Sequence, residues 1–265
     1  MPTATQERFP TPSPITLRLR NPAGSIEVVA SESSETTVDI TSRQDDAAVV
    51  QLSGDGRTLT IEPRQRRLHR HGIDMVVHLP AGSDLRIHSA AAEVRIRGSV
   101  GDVEVDNAAG RVHIEQAEGA VELGSASGSA KVGRAGGPLS FRSASGSLDV
   151  ERVGGACTAR TASGSLAIGL ADDDVAAHTV SGSVVVREAH RGTVDVESTS
   201  GRVAVGVRRG TLAWLDVSSV AGRTSSNLAA EDAGSVGEGA VLTVRARSVS
   251  GSVEVTSTGT SAIAL

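Results

Sequence analysis

The densest group of residues that could do chemistry is a basic stretch at 63–78, PRQRRLHRHGIDMVVH. Its four arginines are Arg64, Arg66, Arg67 and Arg70. Guanidinium groups bind phosphate oxygens in pairs, so this cluster could hold an anionic lipid, a wall polymer or a nucleic acid. The alternative is a solvated hairpin loop between two strand-like segments, RTLTIEP and IDMVVHLP. Because aromatic residues for base stacking are nearly absent, we expect no nucleic-acid partner.

Two patterns could bind a metal, but both fall short of a complete site. His69 and His71, with Asp74 or His78 nearby, offer ligands beside arginines that would repel a cation. The sequence ADDDV at 171–175 offers carboxylates for calcium but lacks the glycine-spaced ligands of a calcium loop. We therefore expect solvated turns at both places, with no metal and no cofactor.

Signatures of catalysis are missing. Serine is abundant, yet the sequence contains no Gly-x-Ser-x-Gly elbow and no Ser-x-x-Lys nucleophile. Cys157 is the single cysteine and has no metal ligand beside it, so we expect a small buried residue. We predict a protein that is not an enzyme. A β-helix enzyme that acts on polysaccharides is the remote alternative.

A repeat organises the middle of the chain and must position any binding residues. Apolar residues alternate with polar ones on both sides of a recurring glycine, which is typical of half-buried strands. Each 18-residue unit therefore predicts two short strands and two tight turns, one of them at Ser-Gly-Ser. The glycines are Gly110, Gly128, Gly146, Gly164 and Gly182, each 18 residues apart, followed by Gly201, Gly222 and Gly251 at longer intervals.

A unit this short cannot bury its own apolar face, so successive units must stack in chain order. The predicted fold is all-β, a single-chain β-solenoid or flattened β-helix with about 18 residues and two short strands per coil, preceded by an irregular N-terminal β-cap. Three residues before each glycine stands a small polar residue, which we expect to bond to the turn backbone or to the equivalent residue in the coil above or below. An array presented to ice or sugar is the alternative for this column. One position earlier, Arg142 and Arg160 would lie on adjacent coils and form a small anion contact.

The expected organisation has four parts. They are a disordered tail at 1–14, the N-terminal β-cap at 15–82, the solenoid repeats at 83–257 with a polar insertion at about 223–240, and a C-terminal tail at 258–265. Trp214, the single tryptophan, lies where the period breaks. We predict that it is buried in the penultimate coil.

Composition limits the classes of function. The net charge of −5 is modest, and acids and bases are interspersed, which argues against a nucleic-acid-binding protein. No secretory signal and no apolar stretch of about 20 residues is seen, so we predict a cytoplasmic protein and leave peripheral association with the envelope open.

Three stretches carry a resemblance to a known family. They are LRNPAGSIEVVA, MVVHLPAGSDLRIHSAAAEVRI and the serial SASGSL units. Together they resemble the Toastrack family (domain of unknown function 4097), bacterial β-strand-repeat proteins often labelled putative adhesins, over residues 15–257. The resemblance implies a β-solenoid that binds or scaffolds, without catalytic residues, and a link to cell-envelope stress or adhesion-like interactions. Our leading hypothesis is a non-catalytic module that presents a charged face to a protein or cell-envelope ligand. We expect a monomer or small oligomer. The alternative is a bactofilin-like scaffold that polymerises through its terminal coils.

Overall fold

The structure is a computed structural model that describes residues 3–42, 48–63, 72–228 and 241–258. These residues form twenty β-strands and no helix. The chain divides into two compact units, unit 1 (Met1–Gly137) and unit 2 (Pro138–Leu265).

The strands of unit 1 are β1 (Thr3–Pro10), β2 (Thr16–Ser31), β3 (Glu35–Ser42), β4 (Ala48–Leu52), β5 (Thr58–Pro63), β6 (Ile73–Pro80), β7 (Asp84–Val100), β8 (Val103–Ala117) and β9 (Val121–Ala135). The strands of unit 2 are β10 (Leu139–Val153), β11 (Cys157–Ser163), β12 (Leu166–Ala171), β13 (Val175–Ser181), β14 (Val184–Ala189), β15 (Gly192–Ser200), β16 (Val203–Arg208), β17 (Leu212–Ser219), β18 (Thr224–Ser226), β19 (Val241–Ser250) and β20 (Val253–Thr258).

Parallel pairing with an offset of 18 residues confirms the predicted solenoid. Leu85 of β7 lies opposite Val103 of β8, which lies opposite Val121 of β9. The repeated glycine marks a bend in each coil, which we call the glycine corner. The strand segment before the corner is the first limb of the coil, and the strand segment after it is the second limb. In β7 to β10 the two predicted strands run as one continuous strand through the corner, whereas from β11 onward the corner separates two strands.

Alternation of apolar and polar residues places the core between the limbs. Inward residues such as Leu17, Ile87 and Val105 are almost completely buried. Their outward neighbours along each strand are polar or charged, because successive side chains in a strand point to opposite faces. The outward faces of the limbs are therefore the surfaces that can bind a ligand.

The glycine corners require glycine for two reasons. Gly164 has a φ of +152°, and a Cβ atom there would lie 2.0 Å from the carbonyl oxygen of Gly146 in the preceding coil. Several residues of the polar column beside the corner bond to these same carbonyl groups, as predicted, whereas the buried hydroxyls of Ser143 and Ser248 have no hydrogen-bond partner in the described part of the chain. Thr161 Oγ1 donates to Gly146 O at 3.2 Å, and Ser198 Oγ donates to Gly182 O at 3.2 Å.

Unit 1 contains one coil that is stacked out of chain order. The strand β2 pairs with β7 on one side and with β5 and β6 on the other, so Thr16–Ser31 lies between segments that follow it in sequence. The N-terminal region thus contains a regular parallel coil as well as antiparallel strands, because β3 and β4 pair antiparallel with β6 and β5. The predicted disorder of 1–14 is wrong for residues 3–10, which pair as β1 with β3.

Unit 2 also contains an inserted coil, and here the expected stacking order is wrong. The strands β19 and β20 pair with β15 and β16 on one side and with β17 and β18 on the other. The last described coil in sequence is therefore not the last in the stack. Thr224–Ser226, part of the predicted polar insertion, forms β18, whereas residues 229–240 lie outside the described residues.

Trp214 differs from the prediction for the same reason. It lies on β17, which among the described residues pairs on one side only, with β19. Its position faces outward, opposite Thr243, and its side chain is 60% exposed. The prediction of a buried tryptophan is wrong because chain order misplaced this strand in the stack.

Candidate ligand-binding faces

The positions of the side chains in the predicted arginine cluster are not described by the structure. Arg64, Arg66, Arg67 and Arg70 lie outside the described residues, as do His69 and His71. Of the neighbouring groups considered as metal ligands, Asp74 is bonded within the sheet. Its Oδ1 accepts the backbone N–H of Ser25 at 3.0 Å and the hydroxyl of Ser25 at 2.7 Å.

Arg142 and Arg160 lie side by side, and we call them the arginine pair. They occupy opposing positions on the first limbs of β10 and β11, with His178 of β13 in register beyond them. Both arginines are exposed, and no carboxylate in the described part of the chain is in salt-bridge contact with either of them. Adjacent strands are spaced about 4.8 Å apart, so two guanidinium groups are presented to solvent at neighbouring positions.

The same column becomes neutral further along unit 2. His178 Nδ1 lies 3.3 Å from Glu197 Oε2, and Glu197 Oε1 lies 3.8 Å from Arg247 Nη1. Arg247 Nη2 is also 3.1 Å from Asp216 Oδ2. Because these charges compensate one another, the uncompensated positive charge in this column is confined to the arginine pair.

A second charged face covers the first limbs of unit 1. Register places Arg18 of β2 opposite Arg86 of β7, which lies opposite Glu104 of β8. Arg20 and His88 are paired in the next position along the same strands. These side chains border a groove of about 320 Å³, called the charged groove. Its lining residues are Arg18, Leu19, Arg20, Thr60, Glu62, Arg86, His88 and Glu104.

Charge within the charged groove is unevenly compensated. Arg86 Nε lies 3.6 Å from Glu104 Oε2, and His88 Nδ1 lies 3.3 Å from Asp106 Oδ2. These pairs are about half exposed and contribute little to stability. In contrast, Arg18 and Arg20 are exposed and form no salt bridge with any described residue. The groove therefore carries two unpaired guanidinium groups.

Sequence reasoning missed this groove because Arg18 and Arg20 are 68 residues away from their partners. A signal was present nonetheless. The segment TLRLR at 16–20 and the segment DLRIH at 84–88 have the same alternation of leucine or isoleucine with basic residues. Aligning those two segments as equivalent coil limbs would have placed four basic side chains together.

Aspartates at the turns opposite the glycine corners serve the backbone. Asp84 Oδ1 accepts the N–H of Asp102 at 2.9 Å, and Asp102 Oδ1 accepts the N–H of Ala120 at 2.8 Å. In unit 2, Asp174 Oδ1 accepts the N–H of Thr193 at 2.7 Å. Each carboxylate thus fixes the start of the next coil.

The remaining side chains that were considered for chemistry are also occupied. Asp172 Oδ2 accepts hydrogen bonds from Arg152 Nε at 2.9 Å and Nη2 at 2.8 Å, and its Oδ1 lies 2.9 Å from His190 Nδ1. No group of three potential metal ligands occurs among the described residues. Burial raises the pKa of the Cys157 thiol to about 12, so this thiol is protonated at neutral pH and is a poor nucleophile.

Stacked β-coils with charged outward limbs, and with turn residues bonded to the backbone, define a repeat protein of the β-solenoid class. Its exposed faces offer extended surfaces for binding. The chain belongs to the Toastrack DUF4097 family, whose family model matches residues 15–256. Fold and family together indicate a non-catalytic binding module.

One solved structure supports the fold, and a second shows a weaker likeness. A "putative adhesin" from Bacteroides fragilis NCTC 9343 is 12% identical, with 96% of this chain and 97% of that chain covered and a TM-score of 0.50. A "putative lipid binding protein" from Parabacteroides distasonis ATCC 8503 is 11% identical, with 97% of each chain covered and a TM-score of 0.41. No curated protein matches the chain. Within the described ranges, no helix is long and apolar enough to cross a membrane.

Proposed function

We propose that this protein is a non-catalytic binding module that attaches to a phosphate-bearing ligand of the bacterial cell envelope through the arginine pair of unit 2. The observation that carries this proposal is the register of Arg142 and Arg160, two exposed guanidinium groups on adjacent coils without a carboxylate partner in the described residues. Family membership supports a binding role at a coarser level.

The physical basis is the geometry of guanidinium and phosphate. Each guanidinium donates two parallel hydrogen bonds to an anionic group, and these charge-assisted bonds are stronger than neutral ones. Two guanidinium groups carried on adjacent strands about 4.8 Å apart can engage two oxygens of one phosphate or successive phosphates of a polymer. Attraction at an exposed surface falls with ionic strength, so binding should weaken as salt is added.

Co-sedimentation with lipid vesicles tests the proposal. Vesicles of phosphatidylglycerol and phosphatidylcholine are compared with pure phosphatidylcholine, and soluble poly(glycerol phosphate) serves as a competitor. The double variant Arg142→Ala/Arg160→Ala should bind the anionic vesicles or the polymer at least about tenfold more weakly, since each lost charged hydrogen bond costs about 1.5–3 kcal/mol.

A matched control separates this site from net charge. Arg187→Ala/Arg208→Ala removes the same charge from exposed positions on second limbs of unit 2. That variant should bind within about twofold of the wild type. Equal weakening of the two double variants would contradict the proposal, as would equal binding to neutral and anionic vesicles.

The end of unit 2 favours a second candidate function, self-assembly into a bactofilin-like scaffold. Leu215 and Val217 occupy inward positions on β17, yet they are only half-buried because β17 pairs on one side in the described residues. Light scattering after size-exclusion chromatography over a range of concentrations tests this alternative. A mass that rises with concentration supports assembly, whereas a constant mass or a small multiple supports the binding module.

A further inference from the structure

We infer that the charged groove of unit 1 is a separate site for a sugar phosphate, with the phosphoryl group on Arg18 and Arg20 and the sugar hydroxyls on Glu62 and Glu104. This inference goes beyond the proposed function and does not depend on it. The two sites lie on different units and use different residues.

The phosphoryl position follows from charge. Arg18 and Arg20 are two residues apart on β2, so both face outward with their Cα atoms about 7 Å apart. Neither has a salt bridge in the described part of the chain, whereas Arg86 is engaged with Glu104. Thr60 lies opposite Arg18 and adds a hydroxyl donor. Two unpaired guanidinium groups beside a hydroxyl are suited to a phosphoryl dianion.

The sugar position follows from the two carboxylates. Glu62 on β5 is level with Arg20, and Glu104 on β8 is level with Arg18. Three strand spacings and two residues along the strands therefore separate the two Cα positions by about 16 Å across the groove. Ionised carboxylates only accept hydrogen bonds, so they favour hydroxyl donors and oppose a second anion. A molecule that presents hydroxyls beside its phosphoryl group therefore matches this set better than a bare phosphate does.

The size of the groove is consistent with one small molecule. A volume of about 320 Å³ is at the lower end of the range for small-molecule sites. The groove is also built on β5, β2, β7 and β8, which are held in register by backbone pairing. Side chains on paired strands are positioned more firmly than side chains on loops, which lowers the cost of ordering them around a ligand.

Isothermal titration calorimetry with glucose 6-phosphate tests the site in the full chain, with inorganic phosphate and glucose as comparators. Wild type should bind glucose 6-phosphate at least about tenfold more tightly than either comparator, because both halves of the site are then engaged. Arg18→Ala/Arg20→Ala should weaken this binding at least about tenfold. The variant Arg18→Lys/Arg20→Lys keeps the charge without the forked donors and should be intermediate.

Controls on both units distinguish this site from the proposed one. Arg111→Ala removes an exposed arginine from a second limb of unit 1, and Arg142→Ala/Arg160→Ala removes the arginine pair. Both should bind glucose 6-phosphate within about twofold of the wild type.

Glu62→Gln/Glu104→Gln should reduce the preference for glucose 6-phosphate over inorganic phosphate about fivefold.

Four outcomes would overturn the inference. One is the absence of glucose 6-phosphate binding at millimolar concentration, and another is inorganic phosphate binding as tightly as glucose 6-phosphate. The third is loss of binding in Arg142→Ala/Arg160→Ala with retention in Arg18→Ala/Arg20→Ala, which would leave the proposed function intact. The fourth is binding to phosphatidylglycerol vesicles that needs Arg18 and Arg20 while glucose 6-phosphate does not bind.

Discussion

Each unit contains one coil that is stacked out of chain order, but the strands at the end of the stack differ between the two units. In unit 1, β2 is inserted between β7 and the pair formed by β5 and β6. In unit 2, β19 and β20 are inserted between the coil of β15 and β16 and the coil of β17 and β18. Each inserted coil has a parallel neighbour on both sides. The units differ in the strands beyond that insertion.

Unit 1 closes its stack with antiparallel strands. The strand β3 pairs with β6 on one side and with β1 on the other, and its inward residues Val38 and Ile40 are buried. Changing strand direction ends the parallel repeat, so further coils cannot be added in the same pattern. An unprotected parallel edge would otherwise invite pairing with another chain.

Unit 2 ends in a parallel coil whose inward residues are incompletely covered. Ala213, Leu215 and Val217 follow the same inward alternation as the buried residues of β19, but all three are half-buried. The residue types at the two ends are similar, so burial depends on which strands lie beyond them. The comparison teaches that end protection in this fold comes from topology more than from composition.

The largest expected effect breaks the inserted coil of unit 1. Gly24 has a φ of +113°, and a Cβ there would lie 2.2 Å from Ile73 O. Gly24→Ala should lower the free energy of unfolding by about 3 kcal/mol or more, because strain and a backbone clash add. Gly210→Ala is the control, since Gly210 has a φ of +81° with no atom within 4 Å of the added Cβ. It should cost only about 1 kcal/mol in urea denaturation. Equal losses would show that the clash at Gly24 is relieved elsewhere.

A matched pair of valine substitutions compares the two ends directly. Val38 on β3 is 1% exposed, whereas Val217 on β17 is half-buried. Val38→Ala should lower the free energy of unfolding by about 2 kcal/mol, the sum of lost burial and a cavity. Val217→Ala should cost less than about 1 kcal/mol. Urea denaturation of both variants provides the measurement, and a larger loss for Val217→Ala would mean that the end of unit 2 is covered in solution.

The sequence could predict the coil but not the order of the coils. Alternation and the 18-residue glycine period determine the limbs, the corners and the inward residues, and these agree with the structure. Stacking order is different, because segments 212–219 and 241–250 carry the same alternation and either could pair with β15. Which of these similar strands pairs with β15 depends on the contacts of all the coils together, so the local alternation in the sequence does not determine it.

The two candidate binding faces also differ in whether the sequence could predict them. The arginine pair was predictable because Arg142 and Arg160 are one strict period apart and the structure keeps that register. The charged groove was not predicted because Arg18 belongs to a coil inserted out of order, opposite Arg86. Residues that meet through regular stacking can be found by counting, whereas residues that meet through an inserted coil require the topology.

The buried Cys157 thiol reports on solvent access to the interior of unit 2. Its burial can be compared with the partial exposure of β17, which we call the open end of unit 2. Burial raises the pKa of the Cys157 thiol from 9.0 to about 12, so the unfolded chain loses this proton first as the pH rises. The contribution of the protonated Cys157 thiol to the free energy of unfolding is fully present below pH 9 and is lost as the pH rises from 9 to about 12. Relative to Cys157→Ala, the free energy of unfolding should fall by about 1.4 kcal/mol per pH unit in that window.

Few other groups interfere with this measurement. The chain has no tyrosine, and Lys131 is its single lysine. Urea denaturation at pH 8 and pH 10.5 should therefore show a difference of about 2 kcal/mol between the pH responses of wild type and Cys157→Ala. Parallel pH responses of the two proteins would mean that Cys157 is accessible in the folded state. Such accessibility would remove the distinction between the interior and the end of unit 2.

The smallest expected effect concerns the open end itself. The side chain of Trp214 is 60% exposed at an outward position of β17, so Trp214→Ala should change the free energy of unfolding by less than about 0.5 kcal/mol. In the folded wild type, this single indole should emit at the long wavelength of a solvated tryptophan and should be quenched by iodide. A blue-shifted emission that resists iodide at low protein concentration would show that the end of unit 2 is covered within one chain. If the same shift appeared only as the protein concentration rose, the cover would be a second copy, and the open end of unit 2 would be an assembly surface.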